Sequence, residues 1–340
     1  MSTTTGSEPP TDSPAAVPAP TSRVAVAVYC VIAYGLAWLV CLPLWLGDGL
    51  SSPLFFPISI AMMLTPTVAS LVVVRFVERR PIVRTLGLRP PDAGRTALWL
   101  GIALASVLVV VVLGLASSAL LGTFRFDIGG MSAFRELLTT QLGATGRTPD
   151  DLGMPLRVLW ALQLVNVAVA SVINTLPALG EEIGWRGYLF PRLRDLLGPV
   201  PAVLVSGVIW GLWHAPLILL GYNYPGDPVL GTFAMCVPTI GLGALLAWVS
   251  QRGGSVWPAA LGHGTFNAAV GSFLVMFGDA DFDVDMLGGT VMGWGGWPVW
   301  VLVVAAILVV KGLRPYDGRG RSPAAPVVPL RPPPPPDIIA

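Results

Sequence analysis

Long, mostly apolar runs recur along the chain, separated by short polar connections. A helix that crosses a bilayer needs about 20 mostly apolar residues. Candidates fall near 24–46, 54–76, 97–121, 156–179, 200–221, 230–250, 256–277 and 293–311. The pattern predicts an all-α, polytopic membrane protein with about eight transmembrane helices. The ends read differently. Residues 1–22 are rich in Ser, Thr, Pro and Ala and lack the basic start of a secretory signal. They read as a disordered N-terminal tail in the cytoplasm. Residues 313–340 are Pro- and Arg-rich, with an unbroken run from Pro332 to Pro336. Such a segment cannot pack a core and tends towards polyproline II. A disordered tail is the plainer reading and an adaptor ligand the sharper one. The final Asp-Ile-Ile-Ala holds no cysteine for prenylation. The expected organisation is thus a tail over 1–22, an eight-helix membrane domain over 23–312 and a tail over 313–340.

Basic residues in short connections set orientation. Arg79, Arg80, Arg84, Arg89 and Arg95 lie between the second and third runs. Arg186, Arg192 and Arg194 follow the fourth, Arg252 follows the sixth, and Lys311 and Arg314 follow the last. The alternate connections carry Asp48, Asp227 and the run Asp279, Asp281, Asp283 and Asp285. The connection at 122–155 is mixed in sign. This alternation predicts a multi-pass protein of the plasma membrane with both termini in the cytoplasm.

Composition agrees: 54% of residues are hydrophobic and 11% charged, against roughly a quarter charged in soluble domains. A net charge of +1 gives no case for nucleic acid, so the lipid bilayer is the expected partner. Cys30, Cys41 and Cys236 sit in apolar runs without CxxC spacing, as buried thiols rather than a disulfide framework or thiolate metal site. The aspartates at 279–285 lack the glycine and terminal glutamate of an EF-hand and read as a solvated loop.

Ionisable groups inside a bilayer cost roughly 2.5–3.5 kcal/mol each on insertion scales and usually mark a site. Three clusters stand out within 156–277. The first is Gly180-Glu181-Glu182-Ile183-Gly184-Trp185-Arg186. On a helix Glu182 and Arg186 share a face and can pair, while Glu181 points about 100° away. An unpaired carboxylate against apolar walls suits a general base. The plainer alternative is a salt-bridged turn at the cytoplasmic helix end. The second cluster is Trp210-Gly-Leu-Trp-His214-Ala-Pro216. A lone histidine on an apolar helix is usually structural, but Pro216 frees backbone carbonyls that need a lined cavity. The third is His263-Gly-Thr-Phe-Asn267, two polar residues on one helix face. They could hold an oxyanion or ligate a metal, or simply link two helices by hydrogen bonds. Gly262 and Gly264 permit close backbone approach. His214 and His263 are the only histidines in the chain.

Together the clusters resemble the signature of the CPBP intramembrane protease family, which includes the CAAX prenyl endopeptidases of the Rce1 type. That signature is a glutamate pair with arginine four after the second, then Phe-x-x-x-His, then His-x-x-x-Asn. The likeness covers residues 156–277, with Trp210 in place of phenylalanine. The residue is still aromatic, so the change bears on pocket shape more than on chemistry. The resemblance implies peptide-bond hydrolysis within the membrane, in a cavity open to the cytoplasm, on a membrane-associated peptide or protein substrate. Glu181 and His214 would activate a water. His263 and Asn267 would stabilise the oxyanion, and Glu182, Arg186 and Trp210 would support the site. The family is commonly described as metalloprotease, and Glu181, His214 and His263 could bind zinc. A metal-free glutamate mechanism fits the same residues, and without HExxH spacing a tightly held zinc is the less favoured reading. The alternative function is a non-catalytic immunity or scaffold protein that binds a partner in the same cavity. A transporter is less favoured, because no inverted repeat or matching pair of broken helices is visible. Neither the oligomeric state nor a prenylated substrate follows from the residues.

Overall fold

Proline, glycine and polar caps decide where each apolar run starts and breaks. The computed structural model describes residues 22–310 and 312–313, so both expected tails lie outside the described residues except for Ser22 and Leu313. Helix α1 (Arg23–Trp45) starts at Ser22, whose hydroxyl accepts from the Ala25 N–H. The second run divides at Leu64, just before Pro66, into α2 (Phe55–Met63) and α3 (Thr65–Val72). One turn, α4 (Ile82–Thr85), lies in the arginine-bearing connection. Helix α5 (Ala93–Leu120) is capped by Asp92, which accepts from the Arg95 N–H at 2.7 Å. The long connection that follows holds α6 (Ser132–Gly143).

The fourth run is longer than its apolar stretch. Helix α7 (Leu156–Gly184) passes through the glutamate pair, continues as one π-helical turn at Trp185–Leu189, and becomes α8 (Phe190–Leu197). Next come α9 (Pro199–Trp213) and the short α10 (Ala215–Ile218). Helices α11 (Pro228–Ala234) and α12 (Cys236–Gly253) form one span, followed by α13 (Trp257–Phe277) and α14 (Trp297–Val309).

Among the described residues, seven helical stretches are long and apolar enough to cross a membrane. The eighth expected span is shorter than its apolar run. Residues 293–296 are turns, tied by Trp294 N–H to Leu287 O (2.8 Å) and Gly295 N–H to Gly288 O (2.9 Å). Only the 13 residues of α14 remain helical, about 20 Å at 1.5 Å per residue, against a hydrocarbon core of ~30 Å.

Two of the three arginines at 180–199 are buried. Arg186 and Arg192 are only 4% and 6% exposed. Arg192 grips Glu78 through two bonds, Nη2 to Oε2 at 2.6 Å and Nε to Oε1 at 3.0 Å. Burial alone would raise the Glu78 carboxyl, but Arg192's bonds and charge, with Arg80 and Tyr188, outweigh it and hold that carboxyl below its ordinary value. Two charges that the sequence offers to solvent therefore neutralise each other across the helix ends. On the opposite side of the molecule the acidic connection is partly tethered. Arg125 pairs with Asp279 at 2.5 Å, while Asp281, Asp283 and Asp285 remain exposed as expected.

Helix α13 packs against α7 and α5, and α12 packs against α9. The α7–α13 contact depends on Gly264. A Cβ there would stand 2.7 Å from Thr175 N and 2.8 Å from Ser171 O, inside the α7 backbone. Gly264→Ala should therefore separate the helices that carry the Glu181–Glu182 pair and His263, at a cost of about 1–3 kcal/mol. A fall in melting temperature of the purified variant checks this, and an unchanged value would contradict the contact.

Candidate active site

Three helix segments bring the candidate residues together: the end of α7, the end of α9 and the middle of α13. Glu181, Trp210, His214, His263 and Asn267 all line one cavity of about 530 Å³. Most of its remaining wall is apolar, including Phe55, Ile60, Met63 and Phe266.

Glu181 is 2% exposed. Its Oε2 accepts from the indole N–H of Trp210 at 2.7 Å and of Trp185 at 3.1 Å. Its Oε1 takes no hydrogen bond from the described residues. Two neutral indole donors thus fix this side chain, and no cation bonds to it among the described residues. Glu182, fully buried, is treated differently. Its Oε1 accepts from Arg186 Nη1 at 2.8 Å and from His263 Nδ1 at 2.9 Å, and its Oε2 is buried without a partner. The expected pairing of Glu182 with Arg186 is present, and Glu182 also anchors His263. The Arg186 guanidinium lies over the Trp210 ring, 4.2 Å from its centroid.

Trp210 therefore does more than fill the pocket. Its N–H holds Glu181, and its face carries the arginine that holds Glu182. The expectation that an aromatic replacing phenylalanine changes shape more than chemistry is corrected here, because a phenyl ring has no donor for Glu181.

His214 stands where α9 breaks before Pro216, as expected. Its backbone N–H turns to Gly211 O at 3.1 Å, leaving the Trp210 carbonyl without its usual partner four residues on. The His214 ring fills that role, with Nδ1 2.9 Å from Trp210 O. A carbonyl can only accept, so Nδ1 carries a proton, and in the neutral ring Nε2 has the lone pair. Pro216 O in turn accepts from Trp45 Nε1 at 2.9 Å. On α13, His263 is 4% exposed, whereas Asn267, one turn along, is exposed within the cavity wall. The pair shares a face, as its spacing predicts.

Sequence reasoning missed two residues. Trp185 bonds Glu181 across the same four-residue step that joins Glu182 to Arg186, so its signal was present in the motif. Pro177 lies inside α7 and lines the cavity one turn before Glu181. Its ring removes a backbone donor and opens the helix wall at that point.

The donor types of Glu181, His214 and His263 suit zinc. Among the described residues, however, no three or more His, Cys, Asp or Glu side chains come together as a metal centre.

The cavity opens on two sides. Phe55, Tyr222 and Asn223 border it at the helix ends opposite the arginine-bearing connection at 77–96. Phe56, Ile173 and Leu176, which are 72%, 63% and 70% exposed, mark an apolar flank between α2 and α7. The end-on mouth thus lies away from the arginine-bearing connection, whereas the flank opens sideways between α2 and α7.

Removing Arg186 would leave a fully buried carboxylate uncompensated, at a cost of about 3–5 kcal/mol. Arg186→Ala should therefore accumulate poorly in membranes and unfold at lower temperature. Wild-type yield and stability would contradict the buried pair.

Residues 160–269 match a family model described as type II CAAX prenyl endopeptidase, Rce1-like. Over 49 residues the chain is 43% identical to CAAX prenyl protease 2 of Methanococcus maripaludis, a match covering 14% of this chain and 18% of that relative. The stretch similar to that family contains Glu181, His214, His263 and Asn267, the residues that meet at the one cavity, and the match spans about a fifth of the length of the curated relative.

Proposed function

We propose that this protein is an intramembrane endopeptidase acting on a membrane-associated protein or peptide. The observation that carries this reading is the state of Glu181. It is buried beside an apolar cavity, with one oxygen held by two indole donors and the other free. Such a group is set up to take a proton from water. In the proposed reaction, Glu181 Oε1 accepts that proton while His214 Nε2 orients the water through its lone pair. The water oxygen bonds to the scissile carbonyl carbon, and the C=O π electrons move to oxygen. Asn267 donates to this oxyanion through its amide. His263, anchored through Nδ1 by Glu182, supports the same oxyanion. As the C–N bond breaks, the proton held by Glu181 passes to the leaving amine. Glu182 and Arg186 act only by positioning. Every step uses groups of the chain itself.

The apolar flank between α2 and α7 suits a substrate that arrives from lipid. A peptide carrying a lipid-modified end is one class it would admit, in keeping with the name of the Methanococcus relative, CAAX prenyl protease 2. We place the protein in the plasma membrane with its arginine-bearing end in the cytoplasm, following the charge bias.

Glu181→Ala and His214→Ala should abolish cleavage while the protein still folds and inserts. The check compares peptide termini in membranes and medium from cells making the intact chain or either variant. Termini that persist with Glu181→Ala would sink the mechanism. Their absence throughout, at equal protein levels, would leave a peptide-binding or immunity role for the cavity. Trp210→Phe keeps the ring and loses one hydrogen bond to Glu181, so activity should fall about tenfold. Cleavage should also survive a strong chelator. Stoichiometric zinc that is lost in both His214→Ala and His263→Ala would instead assign those rings to a metal.

A further inference from the structure

Arg186 has a second exposure. Its guanidinium carries five N–H donors, and its one hydrogen bond among the described residues runs from Nη1 to Glu182. The group also lines a separate cleft of about 170 Å³ at the arginine-bearing end of the bundle. That is several times the ~30 Å³ share of one water.

The cleft is built rather than incidental. The turn at residues 84–87 forms one wall and the junction of α12 with α13 forms the other. Val256 N–H to Gly87 O at 3.1 Å and Trp257 Nε1 to Leu88 O at 3.0 Å hold the two walls together. Arg84 and Arg186 line it, and no Asp or Glu does. Ser255, also in the lining, is 3% exposed, and its hydroxyl is buried with no hydrogen-bond partner among the described residues. A buried orphan hydroxyl costs roughly 1–3 kcal/mol unless something completes it. Helix dipoles do not supply the missing charge. Helix α12 ends and α13 begins at this junction, so end dipoles of opposite sign meet and largely offset.

We propose that this cleft binds a phosphate group, held by Arg84 and Arg186 and completed by the Ser255 hydroxyl. A lipid headgroup phosphate and free inorganic phosphate share that chemistry. The position among the arginines that face the cytoplasmic leaflet favours the headgroup of an anionic lipid, since basic clefts between spanning helices take such headgroups. Bound phosphate would engage the face of Arg186 turned away from Glu182. One guanidinium would then join a lipid contact to the pair that anchors His263.

The test reads binding, so it succeeds or fails apart from proteolysis. The purified full-length chain in detergent is titrated with phosphatidylglycerol and followed by native mass spectrometry. Inorganic phosphate is followed separately by thermal unfolding. Arg84 is exposed and Ser255→Ala only trims a hydroxyl, so both Arg84→Ala and Ser255→Ala should fold. We expect phosphatidylglycerol to bind the intact chain and Arg84→Ala to weaken it roughly fivefold, with Ser255→Ala also weaker. A variant-sensitive rise in melting temperature with inorganic phosphate, without retained lipid, would identify the free anion as the ligand. If neither probe binds, or both variants bind both probes as the intact chain does, the proposal is overturned.

Discussion

Burying two adjacent carboxylates in a membrane protein is the constraint around which this fold is arranged. Each charge must meet donors or a countercharge, because desolvation costs several kcal/mol per ion. The two glutamates meet that requirement in opposite ways. Glu182 is neutralised by Arg186 and turned to hold His263. Glu181 receives only indole N–H groups and keeps one oxygen free of hydrogen bonds from the described residues. Adjacent positions on a helix point about 100° apart, so one backbone segment can present one carboxylate to a cation and the other to a cavity. The division of labour follows from that angle and from what stands opposite each face.

The tryptophans make the division stable. Trp210 gives its N–H to Glu181 and its ring face to Arg186, so the positive charge sits near both carboxylates while bonding to only one. A smaller apolar residue would leave Glu181 with the Trp185 donor alone. The break before Pro216 plays a comparable part on α9. It frees the Trp210 carbonyl, and the His214 ring takes that carbonyl and so turns its other nitrogen to the cavity. A helix defect, often a liability, here fixes a tautomer.

Much of this could be read from residue spacing, and the limits are physical. The pairing of Glu182 with Arg186 and the shared face of His263 and Asn267 follow from helical periodicity, and both are present. The spans followed from apolar run length, except at 293–296, where glycines favour turns that hydropathy does not register. The depth of Arg186 and Arg192 is not written in the sequence, where both also serve as markers of orientation. Their burial depends on Glu182 and on Glu78, the latter over a hundred residues away. The Glu182–His263 bond and the role of Trp210 were likewise out of reach, since both join helices whose relative rotation is set by packing. Gly264 hints at that packing, but only the α7 backbone against it shows the direction.

The placement of Arg186 ties these points into one argument. A guanidinium with five donors that used only one would be poorly satisfied in a sealed interior, whereas here it lies between two unlike environments. One side meets Glu182 and the ring of Trp210, and the other opens on a polar cleft with an unpartnered hydroxyl. Arginine suits such a boundary better than lysine, because its planar fork can serve two partners at once without moving. A lysine ammonium would sit as a point charge nearer one of them. The same geometry means that whatever occupies the cleft acts on the carboxylate behind the arginine through a single rigid group. The orientation of His263 and the chemistry at the bundle's arginine-bearing end are therefore physically joined, although the two cavities themselves are separate.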